Sequence, residues 1–175
     1  MISNSWITTF KKSLIKNHEN PEKGASLVEL LVAMAISVLV FSILSTALVQ
    51  FVLTTRWGNS LLQVTNDIQV TTIWLGRDAL ESASFSPGSG SEYGTLSWAD
   101  SSTQYRYSYD SASGALVREH IENGTVLSSQ KVARHINNQT DVTFNASGHL
   151  LTVGIISTSG SETKSATLVF ALRTR

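Results

Sequence analysis

No cysteine occurs among the 175 residues, which removes disulfide frames, thiolate metal sites and cysteine nucleophiles together. The compartment stays open, because proteins outside the cytoplasm need not carry disulfides. Proline is nearly absent: only Pro21 and Pro87 occur, so no proline interrupts the chain between them. Charged side chains are scarce, at 15% against roughly 25% in ordinary soluble proteins. Thirteen bases balance thirteen acids, and a zero net charge argues against a dedicated nucleic-acid binder, which shows a basic patch or stripe. A Gly-x-Ser-x-Gly elbow and a glycine-rich phosphate loop are both missing, so nothing in the pattern points to an enzyme, a catalytic residue or a bound cofactor.

The apolar residues that are present are unevenly placed. They form 42% of the chain although its mean hydropathy is only +0.05. Residues 1–24 form a polar leader in which Lys11, Lys12, Lys16 and Lys23 outnumber Glu19 and Glu22. Residues 30–55 then contain no charged side chain at all. As a helix rising about 1.5 Å per residue this run reaches roughly 39 Å, and about 20 residues suffice to cross a bilayer. Lysines before the run, and no charge after it until Arg56, place the N-terminus in the cytoplasm and the C-terminal part outside it. Phe51 and Trp57 sit where interfacial aromatics are expected.

The helical pattern continues beyond the apolar run. Trp57, Leu61, Val64, Ile68, Leu75 and Ala79 follow three- and four-residue spacing, whereas Asn59, Gln63, Asn66, Asp67 and Gln69 fall on other faces. One helix is expected from about residue 26 to 83, apolar all round in its first half and amphipathic in its second. The cluster Phe85-Ser86-Pro87-Gly88-Ser89-Gly90 ends it and reads as a linker. Beyond Gly90 the period switches to two. Strands are expected at 103–109, 115–121, 125–133, 141–145, 150–158 and 165–172, with Asn123-Gly124 as a hairpin turn. The expectation is an α+β fold in which the amphipathic half-helix covers one antiparallel sheet of five to seven strands. The corresponding segments are a leader at 1–24, a transmembrane helix at 25–55, an amphipathic helix at 56–84, a linker at 85–90 and a β head at 91–175.

The junction reads Lys23-Gly24-Ala25-Ser26-Leu27-Val28-Glu29-Leu30-Leu31: a glycine closes a basic leader, and five residues later one glutamate interrupts an apolar segment. This resembles the class III signal of type IV prepilins. The resemblance implies cleavage between Gly24 and Ala25 by a prepilin peptidase, N-methylation at Ala25, and an assembly role for Glu29. Ala25 stands where phenylalanine or methionine is commoner in that family, and the apolar segment lacks the proline of many major pilins. The second departure points toward a minor subunit. An ionised carboxylate within a membrane costs about 2.5–3.5 kcal/mol at the centre and less near an interface, where Glu29 lies. The amine created at Ala25 would be four residues away, free to pair with this carboxylate or with a neighbour's and so set axial register. Leu75-Gly76-Arg77-Asp78-Ala79, Tyr105-Arg106-Tyr107 and Gly114-Ala115-Leu116-Val117-Arg118 look like J-type minor pseudopilins and W-type minor pilins. Such subunits belong to pilus or type II secretion filaments, near the tip. The partners implied are the prepilin peptidase, other pilin or pseudopilin subunits, an inner-membrane assembly platform, and membrane lipid before assembly.

Other features carry blander readings. His18, His120, His135 and His149 lack metal-ligand spacing and read as scattered surface or strand residues. Asp78 with Glu81, and Glu119 with Glu122, read as solvated faces. Tyr105, Tyr107 and Tyr109 share one strand face and are expected to pack under the helix. The rival function is a single-span anchored binding domain, a sensor or adhesin outside any filament, for which the Gly24–Glu29 pattern would be coincidence. Replacing the cleavage-site glycine separates the two: Gly24→Glu is expected to leave an uncleaved membrane precursor of full length on an immunoblot. Normal maturation of that variant would place the cut elsewhere.

Overall fold

The computed structural model describes residues 26–173, and these fall into two units that meet between Leu48 and Val49. Helix α1 spans Leu27–Glu81. In the first unit every side chain from Ser26 to Leu48 is exposed, although nearly all are apolar. The helix is long and apolar enough to cross a membrane. Three hydroxyls of the apolar run are satisfied within the helix: Ser37 Oγ donates to Ala33 O at 2.8 Å, Thr46 Oγ1 to Ser42 O at 3.0 Å and Thr55 Oγ1 to Phe51 O at 2.9 Å. Such back-bonding lets a hydroxyl enter hydrocarbon without an orphaned donor.

In the second unit α1 packs on eight strands: β1 (Ser84–Pro87), β2 (Glu92–Ser97), β3 (Thr103–Asp110), β4 (Ala115–Glu122), β5 (Thr125–Ala133), β6 (Val142–Ser147), β7 (Leu150–Ser159) and β8 (Glu162–Ala171). All pairings are antiparallel between chain neighbours. They make two sheets, β1-β2-β3-β4-β5 and β6-β7-β8, where one was expected. The ladder breaks after β5, where the chain passes through a 3-10 turn at Gln139–Asp141 before β6 begins. Asn123 and Gly124 take φ of +49° and +80° between β4 and β5, the left-handed pair that a two-residue hairpin requires. Residues 84–87 form β1 instead of part of a linker. Pro87 is tolerated there because β1 is an edge strand and needs only one set of ladder bonds.

Aromatic stacking closes the gap between the sheets. Phe144 of β6 lies 6.0 Å from Phe85, 5.5 Å from Tyr93 and 5.6 Å from Tyr107, centroid to centroid, so one ring touches β1, β2 and β3. These separations fall within the roughly 4.5–7 Å of favourable ring pairs. One continuous core results, with Leu75 and Ala79 of α1 against Leu96, Tyr107, Leu116, Leu151, Val153 and Ile155.

The buried stripe of α1 differs from the apolar one expected. Val64, Leu75 and Ala79 are buried, Leu61 and Ile68 are half-buried, and Trp57 is 52% exposed. Asp67, Thr71 and Asp78 complete the stripe. They obey the same three- and four-residue spacing, and the partners described below offset their polarity. Truncating a filled core position tests this packing. Leu75→Ala is expected to lower stability by about 2–5 kcal/mol, and Leu62→Ala, at a site 69% exposed, by less than about 0.5 kcal/mol. Thermal unfolding of the detergent-solubilised chain would compare them.

Candidate functional site

At its N-terminus the helix is closed by its own side chains. The Ser26 amide donates to Glu29 Oε2 at 2.9 Å, and the Glu29 amide donates to Ser26 Oγ at 3.2 Å. This reciprocal pair is a capping box, which satisfies two of the free amides at a helix start. Glu29 therefore has a local bond in addition to any partner it finds in an assembly. The Ser-x-x-Glu spacing was visible in the sequence but was overshadowed by the charge of Glu29. Gly24 and Ala25 lie outside the described residues, as does His18.

A second polar constellation lies in the sheet-bearing unit and was not anticipated. Asp78 and Glu81 do not form a solvated face. Asp78 is fully buried; it accepts from Arg118 Nε at 2.6 Å and Nη2 at 2.7 Å, and from the Tyr107 hydroxyl at 2.6 Å. The Arg118 guanidinium lies 4.5 Å from the ring centroids of both Trp74 and Tyr105, a cation–π contact on each. Glu81 accepts from the Tyr105 hydroxyl at 2.7 Å. Glu119 is also engaged, with Arg106 Nε at 2.7 Å, whereas Glu122 is exposed. Asp67, 4% exposed, accepts on Oδ2 from the His135 amide at 3.0 Å and the Ser157 hydroxyl at 2.9 Å, with His135 Nδ1 also at 2.9 Å.

These bonds fit α1 to both sheets. Asp78 meets β3 and β4, while Asp67 meets the segment after β5 and strand β7. Tyr105 and Tyr107 are buried as expected, and Tyr109 reaches the Asn137 carbonyl at 2.9 Å. His120 lies on β4 and stacks on Tyr105 at 5.2 Å, and His149 is exposed, as the strand and surface readings expected; His135 departs from them as a half-buried partner of Asp67. The carboxylate pattern of α1 could have been found from spacing alone, since positions 64, 67, 71, 75 and 78 repeat at helical intervals. Which strand residues would answer it could not.

Protonation follows the geometry. Burial, then the Glu81 hydrogen bond and charge, push Tyr105 up to about 12. Burial and the Asp78 charge raise Tyr107 well above the ordinary phenol value. The Tyr105 hydrogen bond holds Glu81 below the usual carboxylate range. Burial opposes the Arg118 charge, but Asp78 outweighs it and leaves the guanidinium above its ordinary value. All of this serves packing. Asp67, Asp78 and Glu81 are each matched by donors that fix the helix against strands.

Residues 20–48 match the family model for the prokaryotic N-terminal methylation motif. The match covers the end of the leader, Gly24, Ala25, the Ser26–Glu29 cap and most of the apolar run. It supports a type IV pilin-like precursor with a membrane-anchoring, single-pass helix. No curated protein and no solved structure matches the chain.

Removing one member of the buried pair strands the other. Asp78→Ala is expected to destabilise by about 3–5 kcal/mol, whereas the double change Asp78→Leu with Arg118→Met recovers most of that loss. Thermal unfolding of both variants would check this. The tyrosines give an alkaline signature. Their folded-state values lie above the unfolded value of about 10, so their stabilisation is complete below pH 10 and is lost as pH rises through about 12. Stability is expected to hold to about pH 9 and fall across pH 10–12, with a shallower fall in Tyr105→Phe.

Proposed function

We propose that the chain is a minor pilin or pseudopilin subunit of a type IV pilus-like or type II secretion filament. It is cut between Gly24 and Ala25, methylated on Ala25, and assembled through α1. The observation that carries this reading is the methylation motif at residues 20–48, which runs through an apolar helix exposed along its length among the described residues. Before assembly the leader faces the cytoplasm, the helix spans the inner membrane, and the sheet-bearing unit lies outside. After assembly the apolar helices pack together and the sheets face partner subunits. A position near the filament tip follows from the likeness of the 75–79, 105–107 and 114–118 segments to minor subunits.

Glu29 has two separable roles in this scheme. Its hydrogen bonds cap the helix, and its charge pairs with an N-terminal amine, its own or a neighbour's. Glutamine keeps the capping geometry and removes the charge. Both Glu29→Gln and Glu29→Ala are therefore expected to be processed normally yet enter sheared filaments at a small fraction of the unmodified level. Full incorporation of the glutamine variant would remove the charge from the assembly mechanism. The defining measurement is the N-terminus of the membrane-fraction protein by mass spectrometry. An N-methylated Ala25 is expected; an intact Met1 in cells with active peptidase would favour the anchored binding domain.

A further inference from the structure

Arg56 is the first charged residue after the uncharged run. By the rise of a helix, the steps from Glu29 to Arg56 correspond to roughly 40 Å, and a bilayer with its headgroups measures about 40–45 Å. If the run spans a membrane with Glu29 at one interface, Arg56 and Trp57 stand at the depth of the opposite headgroups.

At that point the fold makes a cleft of about 550 Å³. Leu53, Arg56, Trp57 and Ser60 of α1 form one wall, and Gly160 and Ser161 of the β7–β8 turn form the other. The turn lies tight against the helix: a Cβ on Gly160 would stand 2.8 Å from Ser60 Oγ, and the residue has φ of +58°. No acidic side chain lines the cleft among the described residues. Arg77, Arg106, Arg118 and Lys131 each face a carboxylate. Arg56 has no ion pair or hydrogen bond among the described residues, and the half-buried Ser60 hydroxyl has no partner there either. Trp57 is 52% exposed and Leu53 is 53% exposed, beside a guanidinium that no carboxylate among the described residues faces.

We propose that this cleft binds the phosphate of a glycerophospholipid from the outer headgroup layer of the membrane that α1 crosses. The guanidinium offers a planar fork that fits two phosphate oxygens. Ser60 adds a hydroxyl donor, while the Ser161 hydroxyl on the opposite wall donates to Glu162 Oε1 at 3.4 Å. Trp57 is amphipathic and suited to the interface, and it lies with Leu53 beside the glycerol and the first acyl methylenes. The source is lipid because the anion and the apolar contacts are needed together and are joined in one molecule at that depth. The proposal rests on the membrane-spanning reading above. It adds a specific lipid contact that steadies the base of the sheet-bearing unit before the subunit leaves the bilayer.

The test uses native mass spectrometry of the full chain in mild detergent. The probes are phosphatidylglycerol, diacylglycerol with the same acyl chains, and glycerol phosphate. Phosphatidylglycerol is expected to stay bound, and the phosphate-free and chain-free probes are expected to be lost. Arg56→Gln should lower retention about fivefold, the equivalent of the roughly 1 kcal/mol that one basic residue contributes near an anionic surface. Ser161→Asp, which puts a negative charge in the cleft, should lower it as well. Arg77→Gln, outside the cleft, should leave retention unchanged. Equal retention by Arg56→Gln, or by diacylglycerol, would overturn the proposal, and glycerol phosphate binding as tightly as the lipid would make this a site for free phosphate instead. Carbonate extraction of membranes separates the two readings. Release of the unmodified chain would overturn the anchor and this site together. A chain that stays in the membrane without lipid selectivity would overturn the site alone.

Discussion

The buried pair of Asp78 and Arg118 constrains the sheet-bearing unit more than any other contact. Two charges removed from water are tolerable only when their mutual geometry and remaining hydrogen bonds are complete. Here the guanidinium makes two bonds to one carboxylate and lies between two aromatic rings, and Tyr107 supplies a further donor. Sliding α1 by one residue along β3 and β4 would strand both charges at once. An apolar seam of leucines would tolerate such a slip far better, because hydrophobic contact is not directional. The pair therefore specifies register, and Asp67 does the same toward β7 and the chain after β5 through His135 and Ser157.

Fixing the helix in this way matters for the assembly proposed above, which works by packing. The apolar part of α1 has no packing partner among the described residues, and its exposed leucines, valines and isoleucines suit lipid or other helices. The sheets must be carried at a defined rotation around that same helix if they are to meet partner subunits consistently. The buried Asp78–Arg118 pair and the hydrogen bonds of Asp67 fix the helix against the strands, and the Phe144 stack ties the two sheets together. At the other end, the Ser26–Glu29 cap closes the helix and orients the carboxylate that the assembly would use.

Much of this was legible from residue order. The uncharged run, the switch from helical to two-residue period, and the Asn123-Gly124 turn all depend on contacts close in sequence, and each appears where its pattern predicts. The failures share a cause. Asp67, Asp78 and Glu81 looked solvated because a carboxylate on an amphipathic helix ordinarily faces water. They are engaged because His135, Tyr105, Tyr107, Arg118 and Ser157 arrive from distant strands. Residues 85–87 looked like the start of a linker because proline and glycine crowd there, and Ser84 like the end of the helix, yet pairing with β2 made them an edge strand.

By itself, then, the sequence determined the succession of one long helix and then strands, the segment able to enter a membrane, and the short signal at residues 23–31. These rest on local propensity and on transfer of side chains from water, which need no knowledge of the rest of the chain. Only the tertiary structure decided that there are two sheets instead of one, that the charged stripe of α1 faces inward, and that Arg56 meets no carboxylate among the described residues. Each of those depends on which distant groups meet. A buried charge is stable or ruinous according to partners that lie 29 to 90 residues away in the chain.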